Sequence, residues 1–224
     1  MKQYRNFGDE RQYNWCAFCG GDTYTRDHVP SKILLDKPYP QNLPVVGACQ
    51  SCNSSFSLDE EYIACWIDVA KAKQFPDEEY KYREKISKTL SKRPAIKAKI
   101  LDKQNALIPV EENRLKNVFT KLAKGHSLFE LNEPQFRHPS LIRWDYLTSL
   151  STSQRNLFER PPKMEIFPEI GSRAFQKNVY EQGFTWQIVQ NNRYRYLATA
   201  NTYVLVRIVL SEFLVSEILW EHER

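Results

Sequence analysis

Two CxxC pairs, Cys16-Ala17-Phe18-Cys19 and Cys49-Gln50-Ser51-Cys52, constrain this chain more than any other feature. Together they supply four thiolates, the donor set of a closed tetrahedral zinc site. Residues 1 to 14 are polar and charged and show no secretory pattern. Paired cysteines in such a chain read as metal ligands in a reducing, cytoplasmic compartment rather than as disulfides. Between the pairs stands Asp27-His28, and Asn53 follows the last cysteine directly. A zinc staple by itself has no use for an Asp-His dipeptide on the intervening loop. Asp27, His28 and Asn53 add oxygen ligands for a hard cation and a titratable base.

These residues resemble the HNH endonucleases, also called His-Me finger or ββα-metal nucleases. In that family a CxxC pair is followed by an acidic residue with His, then by Asn, then by a second CxxC pair with His or Asn after it. The resemblance implies that His28 is the general base that activates water, and that Asn42 holds the loop and orients it. It implies that Asp27 and Asn53 are the protein ligands of a catalytic Mg²⁺ or Mn²⁺. Cys16, Cys19, Cys49 and Cys52 are then the structural zinc ligands. Asn53 stands where many members have His, which gives an H-N-N set. The implied activity is metal-dependent hydrolysis of phosphodiester bonds in double-stranded DNA. An RNA-cleaving enzyme with the same centre, and a catalytically silent zinc module that binds nucleic acid or protein, are the alternatives.

At 224 residues the chain is long enough to bury a sizeable core. The expected organisation is α+β: a ββα-metal module over residues 1 to 74, then a body over residues 75 to 224 that is helical first and ends in an antiparallel sheet. Thirty-two basic against 27 acidic residues leave +5, which permits nucleic-acid binding without demanding it. The balance turns basic over residues 81 to 103, where Lys81, Arg83, Lys85, Lys88, Lys92, Arg93, Lys97, Lys99 and Lys103 cluster. That segment reads equally as a phosphate-tracking surface and as a solvated helix face. Arg26 is likewise open between a phosphate contact and a carboxylate pair. Residues 203 to 220 are the most apolar run, but Arg207, Glu212 and Glu217 interrupt it, so no bilayer span is expected. A homodimer is compatible with the sequence, which leaves the oligomeric state open.

The coarse pattern predicts strands at residues 23 to 29 and 45 to 47, separated by a proline-rich loop with a helical turn near Ile33. A helix begins near Cys49, and another runs from Ser57, which opens a capping-box spacing, to about Lys73. Ile96, Ile100, Leu107 and Ile108 read as a short strand or an extended link around Pro94 and Pro109. A helix over residues 111 to 124 buries Leu115, Val118, Phe119 and Leu122, with Gly125 as its stop. A further helix is expected at residues 140 to 150 and a closing one at 211 to 221. Strands are expected at 163 to 167, 184 to 189, 193 to 198 and 203 to 210, with Asn191-Asn192 as a hairpin turn. Cys65 reads as a small core residue, and His126, His138 and His222 read as structural.

Overall fold

The computed structural model describes residues 4–7, 14–74, 82–181 and 183–221. In chain order the elements are β1 (Thr25–His28), β2 (Val45–Ala48), α1 (Gln50–Ser55), α2 (Ser57–Gln74), α3 (Glu84–Lys92), α4 (Pro94–Ile100) and α5 (Glu112–His126). Then follow β3 (Leu141–Tyr146), α6 (Thr152–Glu159), α7 (Arg173–Glu181), β4 (Gln187–Gln190), β5 (Tyr194–Ala200), β6 (Tyr203–Leu210) and β7 (Leu214–Glu221). Contacts divide the chain into two units, one made of Met1–Ser55 with Phe119–Arg224 and the other of Phe56–Val118. Helices α2, α3 and α4 group together in the second of these units.

In the first unit β1 and β2 form an antiparallel ribbon in which Asp27 faces Val46 and His28 faces Val45. Prolines at 30, 38, 40 and 44 keep the intervening residues out of a ladder, apart from one 3₁₀ turn at Lys32–Leu34. The loop is tied down from the turn between β4 and β5. The Gln190 amide accepts from the Asp36 N–H at 2.7 Å and donates to the Asp36 carbonyl at 2.9 Å, while Arg193 pairs with the Asp36 carboxylate. With α1 after β2, the local order is strand, loop, strand, helix.

The same unit carries a five-stranded antiparallel sheet of order β3-β7-β6-β5-β4. Two of its strands were expected to be helices. In β3, Ile142, Trp144 and Tyr146 are half-buried while Arg143 and Asp145 are exposed, and that period of two decides for strand over helix. At the other site Ser211 and Glu212 both take positive φ, which turns the chain at once and delivers Leu214–Glu221 as a strand on β6. Cross-strand, Arg207 on β6 meets Glu217 on β7 at 2.7 Å. Residues 163 to 167 form no strand. Their backbone bonds go to Asn201, which accepts from the Glu165 N–H at 3.0 Å and donates to the Lys163 carbonyl at 3.0 Å. The helix α6 escaped the sequence reading although its signal was present. Ser151 and Gln154 form a complete capping box at its start.

Gly125 is not a stop. The helix α5 passes through it and continues as a π turn at Ser127–Leu131, ending at Asn132 with φ of 59°. A Cβ on Gly125 would lie 2.6 Å from Cγ2 of Val29, so the glycine is there to let α5 approach the end of β1. Close by, a polar cluster is wholly buried. His126 stacks on Tyr196 at 3.5 Å between ring centroids and shares a 2.6 Å hydrogen bond with the Tyr194 hydroxyl. Glu130 accepts from the Tyr196 hydroxyl and pairs with Lys177 at 2.6 Å.

The second unit is helical. In α2 every residue from Tyr62 to Ala70 is buried, Cys65 among them, and the Trp66 indole N–H donates to the Ile108 carbonyl at 2.9 Å. Pro94 opens α4 at its first turn, where its missing N–H is harmless, so the short strand or extended link expected around Ile96 is a helix. Among the described residues no helix is long and apolar enough to cross a membrane.

Candidate metal centre

Each CxxC pair folds into a knuckle for local reasons. At the first, the Gly20 N–H donates to the Cys16 carbonyl at 2.9 Å and the Cys16 N–H to the Gly21 carbonyl at 2.7 Å. Gly20 has φ of 78°, a conformation that favours glycine. At the second, the Cys52 N–H points at Sγ of Cys49 at 3.4 Å, and α1 begins there. The Ala17 N–H donates to the Gly47 carbonyl at 2.9 Å, which fixes the first knuckle against β2. The result brings Sγ of Cys16, Cys19, Cys49 and Cys52 within 4.8 Å of one another.

Tetrahedral zinc with Zn–S bonds of about 2.3 Å requires sulfurs about 3.8 Å apart, and Cys19 and Cys49 stand at 3.9 Å. The Cys52 N–H, before any other influence, pulls the Cys49 thiol down to about 7. Burial pushes Cys52 up, and sharing a proton with Cys49 adds to that. One member of the set is therefore ready to give its proton, as thiolate ligation requires. Distances, donor chemistry and knuckle geometry all fit a structural zinc.

The strand β1 places the other residues. Successive side chains of a strand point to opposite faces, so Thr25 and Asp27 share one face while Arg26 and His28 share the other. On the first face the Asn53 side chain, carried by α1, donates to Oγ1 of Thr25 at 3.1 Å. This brings the Asn53 side chain to the face of the ribbon that carries Thr25. Asp27 is 8% exposed. Its Oδ2 lies 2.7 Å from Nζ of Lys121, which is buried on α5. On the second face His28 is half-buried, and its Nδ1 is buried without a hydrogen-bond partner among the described residues. Burial above all holds the imidazole below its ordinary value; Lys32 and Lys121 add to this, and Asp27 opposes it. Asn42 is half-buried in the turn just before Pro44, whose carbonyl accepts from the Val29 N–H at 2.9 Å. That places Asn42 where the loop closes onto the residue after His28.

Two lysines of α5 complete the centre, and the sequence reading did not single them out. Lys121 serves Asp27, while Lys124, three residues on, donates to the Phe18 carbonyl at 3.2 Å and the Phe136 carbonyl at 3.1 Å. Burial lowers the Lys124 ammonium, against the pull of Cys52, Cys19 and Cys16 nearby. A signal was available. Lys121 falls three residues after Val118 and next to Leu122, inside the apolar stripe of α5, where an ammonium needs a buried anion.

The Asp27 carboxylate is an oxygen donor of the kind a hard cation takes, and in this structure its neighbour is the Lys121 ammonium. The basic segment is less available than its composition suggests. Arg83 is committed to the buried Asp68 at 2.9 Å, and Lys88, Arg93 and Lys99 pair with Glu84, Glu61 and Glu111. Lys92, Lys97 and Lys103 are exposed, and Lys81 lies outside the described residues. Arg26 is exposed and makes no ion pair among the described residues. His126 is buried, His138 is exposed, and His222 lies outside the described residues. Comparison of the chain with family models, with curated proteins and with solved structures gives no match.

Proposed function

We propose that this chain is a zinc-stapled endonuclease of the HNH type that hydrolyses phosphodiester bonds in double-stranded DNA. One observation carries the reading. An imidazole whose Nδ1 is buried and has no hydrogen-bond partner among the described residues ends β1 beside an acidic residue, on a ribbon held by a four-cysteine cluster. In this mechanism His28 accepts a proton from water through a ring nitrogen. The water oxygen bonds to phosphorus, the bond from phosphorus to the 3′ oxygen breaks, and that oxygen leaves with a proton from solvent. Asn42 holds the end of the loop against which His28 sits. Asp27 and Asn53 would hold a hard divalent ion at the end of β1, where a phosphate lying across the ribbon's end could reach both that ion and His28, and the ion would supply charge neutralisation on the phosphate and the leaving oxygen. Arg26, on the His28 face of the ribbon, contacts a neighbouring phosphate, and Lys92, Lys97 and Lys103 add non-specific attraction. The zinc has no open position and does no chemistry.

The ion pair between Lys121 and Asp27 favours a second reading, a silent zinc module that binds nucleic acid, because it neutralises the one carboxylate of the centre. Incubation of zinc-loaded protein with supercoiled plasmid and with a structured RNA, in Mg²⁺, in Mn²⁺ and without either, separates the two. Cleavage that requires the divalent ion supports the nuclease and identifies its substrate. Binding without cleavage under every condition leaves the module.

A further inference from the structure

We propose that Lys121 is a counter-cation built into the chain, which a divalent metal ion must displace from Asp27 before the centre can work. The inference rests on the reading of Asp27 as a ligand of that ion. The ammonium stands 2.7 Å from Oδ2, at the distance of a direct ion pair, and Lys121 is 1% exposed. A carboxylate as buried as Asp27 is costly to leave unpaired, so a chain that holds no divalent ion needs a cation of its own there. An ammonium and a divalent cation repel each other strongly at such range in a poorly solvated site, so the two compete for one oxygen.

The structure also gives the lysine somewhere to go. In its present position Nζ is also 3.3 Å from Oγ of Ser31 and 5.8 Å from the centre of the Phe18 ring, so the ammonium has an acceptor and a π face besides Asp27 to turn toward when the carboxylate is taken. The flexible four-carbon stem permits that swing while the helix stays fixed, with Gly125 packed on Val29. The centre thereby acquires a metal threshold: it is paired and inactive at low divalent ion concentration and opens above it.

The test is Mn²⁺ binding to the full, zinc-loaded chain, followed by electron paramagnetic resonance and compared between wild type and Lys121→Met. Methionine keeps the length and apolar stem and removes the charge. Removal of the competitor should tighten Mn²⁺ binding at least tenfold, and Asp27→Asn should abolish it. Equal or weaker binding by Lys121→Met, with wild type binding and Asp27→Asn not, overturns the counter-cation and leaves the ligand reading standing. Mn²⁺ binding by Asp27→Asn as tight as wild type, or no binding by any of the three, overturns both. Should Lys121→Met fail to fold, reductive methylation of the wild-type protein takes its place. Saturating Mn²⁺ should then raise the labelling rate of Lys121 several-fold, as read by mass spectrometry. An unchanged rate while Mn²⁺ is bound overturns the proposal.

Discussion

Nζ of Lys121 on α5 stands 2.7 Å from Oδ2 of Asp27 on β1, with the lysine side chain 1% and the aspartate side chain 10% exposed. A residue far along the chain is thus part of the centre that residues 16 to 53 define. Removing one partner of a buried pair leaves the other charged and unsolvated, at a cost of about 3 to 5 kcal/mol. Lys121→Ala should therefore destabilise the protein by that much in urea denaturation. The double variant Lys121→Ala with Asp27→Asn should recover most of the loss, since the orphaned charge is gone. A double variant no more stable than Lys121→Ala would show that the lysine acts by packing alone.

Metal content is the second expectation. Purified protein should carry about one zinc per chain, held by Cys16, Cys19, Cys49 and Cys52. A strong chelator should lower the melting temperature, because zinc binding is part of the free energy that folds the knuckles. Cys16→Ser should reproduce that loss, whereas Cys65→Ser should keep the zinc. Burial pushes the Cys65 thiol up to about 12, so it stays protonated and takes no part.

Gly125→Ala tests the close approach of α5 to the ribbon. By helix propensity alone, alanine is favoured over glycine by about 1 kcal/mol. Against that, the new methyl would stand 2.6 Å and 2.9 Å from the two Cγ atoms of Val29, which is fully buried. Overpacking of this kind typically costs about 1 to 3 kcal/mol, so the net change should be destabilising. Adding Val29→Ala to Gly125→Ala should remove the clash and return part of the loss. A Gly125→Ala protein more stable than wild type would mean that the helix can shift at no cost.

The ribbon and its metal ligands were legible because their chemistry is local. CxxC spacing, Gly20-Gly21 and the prolines at 30, 38, 40 and 44 each act within a few residues. Lys121 and Lys124 were not legible as site residues because their partners lie far away in sequence, and only the fold brings α5 to β1 and the first knuckle. The two misread strands fail for a related reason. Residues 211 to 221 carry enough apolar residues for a helix face, and the outcome turned on positive φ at Ser211 and Glu212, for which neither residue type is a strong signal. In β3 the alternation of Ile142, Trp144 and Tyr146 with Arg143 and Asp145 was readable, and a reading by period over that short window identifies it.

Acid should weaken the protein through His126. Burial above all, with Lys177 adding, holds its imidazole well below the ordinary value. The groups facing it are Tyr194 and Tyr196 on β5, with Glu130 after α5 and Lys177 on α7 tied into the same cluster. In the unfolded chain a histidine titrates near about 6.5. Below that pH the unfolded state binds a proton that the folded state does not, so the stability this depressed pKa contributes is present above about pH 6.5 and lost as pH falls. One such group gives a slope of about 1.4 kcal/mol per pH unit. Urea denaturation between pH 7.5 and 5 should show this slope, and His126→Gln should flatten it by about one proton. An unchanged slope in the variant would assign the acid sensitivity to other groups.

His28 separates nuclease from binding module. If its imidazole is the base, His28→Ala removes the proton acceptor while zinc content, fold and DNA affinity stay nearly intact. Loss of a general base typically costs about 10² to 10⁴ in rate, so residual nicking of plasmid should be small. Asp27→Ala should behave differently. It removes an anionic ligand, so raised Mn²⁺ should restore part of its cleavage but none of that lost in His28→Ala. It also orphans Lys121, so it should be less stable than His28→Ala, whose side chain has no ion pair among the described residues. The full chain is the material for this comparison, because a fragment of residues 1 to 74 lacks Lys121 and Lys124. Equal cleavage by His28→Ala and wild type would remove His28 from the chemistry. Binding of DNA by all three proteins with cleavage by none, in any divalent ion, would leave the silent module as the account of this centre.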